Sequence, residues 1–103
     1  MGVMMICEVV EIDYFQKQIG NIFMAQIGME QVELRLIRIK EEVRGPRSTR
    51  TPFTLTFANP RDDERLERGR YDLVSEEGRK FQEVNLAPQA VRGQIQTYVA
   101  FFR

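Results

Sequence analysis

The chain reads as all-β: a small six- or seven-stranded antiparallel barrel or bent meander with one or two short helical turns. Three observations predict this. Apolar residues recur with a period of two over most of the chain, where a helix would repeat every 3.6. Turn residues punctuate the sequence at intervals typical of sandwiches and small barrels. One strand changes phase midway, the mark of a β-bulge, and a bulge bends its strand as barrel closure requires. The 103 residues suit one β domain spanning 1–103, and no internal repeat, low-complexity tract or linker divides them.

Residues 3–10 (VMMICEVV) are apolar on both faces and read as a central or interface strand. Asp13 reads as the N-cap of a helical turn over residues 14–19, with Gly20 at the C′ position that ends it. Residues 22–27 form a strand with Phe23, Ala25 and Ile27 on one face. Gly28-Met29-Glu30-Gln31 is the hairpin turn that follows. Val32, Leu34 and Leu36 then alternate with Glu33 and Arg35, but Ile37 and Ile39 fall on the opposite parity. One extra residue near Leu36-Ile37 accounts for the slip, so a β-bulge is expected there.

Residues 43–51 (VRGPRSTRT) are a loop by composition. Phe53, Leu55 and Phe57 alternate with Thr54 and Thr56, the sharpest strand signal in the chain. Asn59-Pro60 reads as the start of a short helix carrying Asp62, Asp63 and Glu64 in its first turn and Arg65 and Arg68 in its last, ended by Gly69. Tyr71 and Leu73 begin another strand, 76–79 turn it, and 81–87 return with Val84 and Leu86 in phase. After a loop over 88–94, Tyr98, Ala100 and Phe102 alternate with Val99 and Phe101. The expected interior is Phe23, Ile27, Leu34, Phe53, Leu55, Phe57, Leu73 and Tyr98, and a barrel so small leaves little room for a ligand.

Composition excludes several chemistries. With no His, neither Ser-His-Asp nor Cys-His catalysis is available. One Cys cannot build a Cys/His zinc site or an internal disulfide. Fifteen Lys+Arg balance fifteen Asp+Glu, which argues against a dedicated nucleic-acid binder. No run reaches the ~18–20 apolar residues that span a bilayer. The N-terminal stretch lacks an early Lys or Arg and meets Glu8 too soon for a signal peptide. A protein of the cytoplasm, or one assembled into a particle, is expected.

Four segments resemble a bacterial family of small domains of unknown function (DUF6916). They are Phe15 with Ile19-Gly20 and Phe23; TPFTLTFANP at 51–60; Leu66, Gly69 and Tyr71-Asp72-Leu73; and YVAFF at 98–102. Together they cover about residues 13–103. Ala58-Asn59 departs from the basic residue and Gly often found there, and Asn85-Leu86-Ala87-Pro88 is less apolar than the usual strand. The resemblance implies a small β domain without assigned catalytic residues, and an association with phage-tail-like or tail-fibre proteins, which is not a mechanism.

Arg38, Lys40, Arg44, Arg47 and Arg50 are the only basic concentration. They read either as a contact for phosphate or an acidic partner or as a solvated strand end and loop. Asp62, Asp63 and Glu64 lack the alternate spacing and Gly turn of a calcium loop. Cys7, in an apolar run, reads as buried and inert. Val99 and Phe101 make the last strand apolar on both faces. Either the helical turn packs over their face or they meet another subunit. The expected function is therefore a non-catalytic structural or adaptor protein, with no cofactor and no metal. It would bind a protein partner or a second copy through Arg44, Arg47, Arg50, Val99 and Phe101. The alternative is a barrel that binds a small anion. Nucleic-acid binding through residues 38–50 is the least favoured reading, and membrane binding is not expected.

Overall fold

A computed structural model describes residues 12–41, 52–59, 66–89 and 95–102. Within them, helix α1 (Ile12–Gln16) precedes strands β1 (Ile22–Ile27), β2 (Glu30–Glu41), β3 (Phe53–Asn59), β4 (Gly69–Ser75), β5 (Lys80–Pro88) and β6 (Gln96–Phe102). The strands close into an antiparallel barrel in the order β1-β2-β3-β6-β5-β4. Two three-stranded meanders, β1-β2-β3 and β4-β5-β6, are joined along β3–β6 and β1–β4. β3 ends and β4 begins at one end of the barrel, which is also the end of the β1–β2 hairpin. Helix α1 and the β4–β5 turn lie at the other end.

Each meander bends in its middle strand. Between Leu36 and Arg38 the β2–β3 register shifts by one residue, so the bulge expected at Leu36-Ile37 is present, and Ile37 is exposed. A second bulge lies in β5, where Tyr71 pairs with Val84 but Leu73 pairs with Phe81. Glu83, within the extra stretch, has φ 53°, the only non-glycine residue with positive φ among the described residues. Its amide donates to Asp72 Oδ1 at 2.9 Å, which holds the kink.

The interior is filled by side chains. Phe23, Leu34, Leu36, Leu55, Phe57, Leu73, Leu86 and Tyr98 are all buried, and Phe53 with them. Ile27 is a correction: alternation puts it on the inner side, but it ends β1 at the hairpin mouth and is 39% exposed. That hairpin closes through Gly28-Met29, since Ile27 pairs with Glu30. Positive φ at Gly28 (57°) and not at Met29 fits a type II′ turn, one residue earlier than expected.

Helix α1 does not lie over the outer face of β6. It plugs the barrel end opposite the β1–β2 hairpin. Phe15 is 1% exposed, with ring centroids 5.1 Å from Phe81, 5.4 Å from Phe102, 5.8 Å from Phe53 and 6.0 Å from Phe23. Asp13 sits inside the first helical turn, favourably for the helix dipole, and is not the N-cap. The helix tightens through Gln18 N–H to Phe15 O (2.9 Å) and stops at Gly20, φ 92°.

Polar contacts tie this plug to the β4–β5 turn. The Tyr14 hydroxyl donates to Ser75 Oγ (2.7 Å), Gln18 Nε2 to Glu77 Oε1 (3.0 Å) and the Ile22 amide to Glu76 Oε2 (2.6 Å). The Arg79 guanidinium lies 4.6 Å from the Tyr14 ring centroid and 5.0 Å from that of Phe81. At the β1–β2 hairpin end the buried Tyr98 hydroxyl accepts from the Leu66 amide at 2.9 Å. Asn59 is the fully buried last residue of β3, and Gly69 opens β4. Gly69 therefore does not end a helix, and the helix that Asn59 was expected to cap lies outside the described residues. The expected strand at 3–10, the helix body at 60–65 and Cys7 lie outside the described residues.

Three outcomes follow. Phe15→Ala should cost about 3–5 kcal/mol in urea unfolding, because it empties the centre of the aromatic cluster. Glu83→Gly should stabilise the protein by up to about 1 kcal/mol by relieving a left-handed side-chain residue; a loss would show that the β5 kink carries no strain. The Tyr14 pKa is raised above its ordinary 10.0, chiefly by burial, with the Ser75 hydrogen bond opposing. The folded state thus favours the neutral phenol. Its contribution is complete below the unfolded pKa and is lost as pH rises through the higher folded pKa. Unfolding midpoints measured from neutral pH to above 10 should fall more steeply in the wild type than in Tyr14→Phe.

Candidate functional site

Side chains fill the barrel interior, so the outward faces of the described strands are the surface on which a candidate site is sought. In β3 and β6 the residues alternating with the core are Thr54, Thr56 and Ala58, and Thr97, Val99 and Phe101. None of these outward positions is ionisable. Thr54, Thr56, Ala58, Thr97 and Val99 are half-buried, and Phe101 is 49% exposed. Antiparallel pairing sets them in three cross-strand rows that begin on β2. The rows are Arg35–Ala58–Thr97, Arg38–Thr56–Val99 and Lys40–Thr54–Phe101. Val99 is also paired with Ala87 of β5, which extends the middle row by one more uncharged residue.

The β2 bulge creates this pattern. In an unbroken strand Arg38 and Lys40 would take the parity opposite to Arg35 and point with Leu36 into the core. The extra residue, Ile37, restores them to the outside, and all three cations are exposed. A neutral, partly apolar surface is thereby bordered along one side by a column of positive charge. The outer positions of β4 and β5 differ. There Arg70 pairs with Glu83 and Lys80 with Asp72, each at 3.6 Å, so charge is compensated locally.

Of the residues expected at a binding site, Val99 and Phe101 stand side by side on this face with Arg38 and Lys40 beside them. Arg44, Arg47 and Arg50 lie outside the described residues. A search for clustered basic residues along the chain misses Arg35, although the bulge expected at Leu36-Ile37 already sets it on the same side as Arg38. The phase slip that reveals the bulge is also the signal that reunites them. Elsewhere a shallow hollow of about 440 Å³ opens at the β1–β2 hairpin, lined by Gln26, Gly28, Met29, Glu30 and Gln31. Its walls come from one hairpin alone and converge on nothing. Among the described residues no three acidic or thiol side chains gather as a metal site would require, and no helix is long and apolar enough to cross a membrane.

No curated protein and no solved structure gives a significant match to the chain. A family profile does match, over residues 10–102, and those residues contain α1, all six strands and the whole β3–β6 face. The chain therefore belongs to the family described as "Domain of unknown function (DUF6916)".

Proposed function

We propose that the protein is a non-catalytic docking module, an adaptor or structural component of a multi-protein assembly such as a phage-tail-like particle. It binds a protein partner, or a second copy of itself, through the outer face of β3 and β6. The observation that carries this reading is the absence of ionisable residues at the six outward positions of the two strands, with Phe101 half exposed among them. Protein interfaces are marked by depletion of charge at their centre and by aromatic anchors, with polar groups at the rim. Here the rim is Arg35, Arg38 and Lys40. The anion-binding alternative has only that column to draw on, and it lies on an open strand face where nothing encloses a small ligand.

Two variants test the face. Phe101→Asp places a charge in one row and Thr56→Arg in the next. Both positions lie outside the core, so melting should shift by less than about 4 °C. Wild-type protein immobilised and exposed to lysate of the organism that encodes it should retain a defined partner that both variants lose. If the partner is a second copy, light scattering should show a dimer that both variants dissociate. Retention of the same partner, or the same dimer, by both variants would refute the reading.

A further inference from the structure

We propose that the occupant of this face includes an extended peptide segment carrying acidic residues at alternate positions, i, i+2 and i+4, laid along β2 against Arg35, Arg38 and Lys40. The inference rests on the docking reading above and adds the chemistry of the partner.

The argument is one of spacing. Arg35, Arg38 and Lys40 pair with Ala58, Thr56 and Thr54, which are successive alternate residues of β3. Two residues of strand rise about 6.5–7 Å, so the three cations stand at about that interval in one column. An extended peptide repeats its side chains on one face at the same interval, so alternate Asp or Glu residues meet the column one for one. An α-helical partner offers same-face positions about 5–6 Å apart and drifts around its axis. At the Arg35 end of the column the sign changes. Glu33, the preceding outward residue of β2, is exposed and would repel a fourth carboxylate.

The cations are also available. Arg35 Nη1 donates to the Gly20 carbonyl at 3.1 Å, which orients the guanidinium and leaves its charge uncompensated. Among the described residues Arg38 and Lys40 have no carboxylate partner, whereas Arg70 and Lys80 each have one. Three unneutralised cations in register beside an uncharged surface give electrostatic complementarity to an acidic strand, and fix its register more than its affinity. A single-stranded nucleic acid would also answer to positive charge. It binds by stacking its bases on several aromatic rings, however, and Phe101 is the only ring among the outward positions of β3 and β6.

The test is selection from a displayed library of random peptides on the wild-type protein, read against two folded variants: Arg38→Glu/Lys40→Glu, and Phe101→Asp. The expected result is enrichment of peptides with Asp or Glu at alternate positions. Their binding should fall at least about tenfold in the charge-reversed variant and weaken similarly at high salt. Enrichment of uncharged apolar peptides that ignore the charge reversal but are lost on Phe101→Asp would overturn this inference and leave the docking face standing. Peptides indifferent to both variants, or none at all, would overturn both. Binding of a mixed-sequence single-stranded oligonucleotide through Arg38 and Lys40, with no acidic peptide enriched, would replace the protein partner with a nucleic acid.

Discussion

Closing six short strands into a barrel requires strands that bend, and here the bend is concentrated in the middle strand of each meander. A flat β2 could not pair with β1 over its first half and β3 over its second. The extra residue at Ile37 lets it turn the corner. The β5 bulge does the same between β4 and β6, and there a glutamate occupies the left-handed conformation. The inner and outer assignments of the second half of β2 depend on that single inserted residue. Remove it, and Arg38 and Lys40 turn inward to displace a core that has no partner for a charge.

A barrel of this girth has space for side chains and little else. The aromatic residues crowd toward one end, and without Phe15 their rings would face water. Rings in offset and edge contact add something beyond the area they bury, about 0.5–1.5 kcal/mol per pair. The hydrogen bonds from Tyr14, Gln18 and Ile22 to Ser75, Glu77 and Glu76 orient the plug, each adding about 0.5–1.5 kcal/mol net at most, because folding exchanges them for bonds to water. A filled and plugged interior moves any binding role to the exterior.

Much of this was legible in the sequence because strand alternation reports directly on which side a residue faces. Phe53, Leu55 and Phe57 could be placed in the core by parity alone, and the slip at Leu36-Ile37 located the first bulge. Alternation does not report depth along the barrel axis, which is why Ile27 reads as interior but sits at the mouth. The second bulge had a signal too, the three-residue step from Phe81 to Val84, hidden by the polar Gln82-Glu83 between them. The position of α1 was not legible. Its aromatic residues demand burial, but only the closed barrel shows which end lacks a cover. The candidate face was half legible: Val99 and Phe101 announced themselves as apolar on an outer side, while Arg35 joins Arg38 only when the consequence of the expected bulge is followed to the residue before it.

The same inserted residue thus connects the fold to the proposed recognition. An ordinary strand gives a cation column only if basic residues alternate strictly. Here the sequence spacing is three and then two, and the bulge converts it to an even column. That conversion sets a condition on any partner. A rigid surface with one diffuse acidic patch would gain attraction from the column without using its spacing, whereas an extended chain with alternate carboxylates uses both. The neutral rows beside the column then supply what charge alone does not. Thr56, Val99 and Ala87 form a continuous uncharged row that a partner's remaining side chains can cover without stranding an ion. Charge at the margin and its absence across the centre are complementary halves of the proposed docking surface, and the bend that closes the barrel holds them in register.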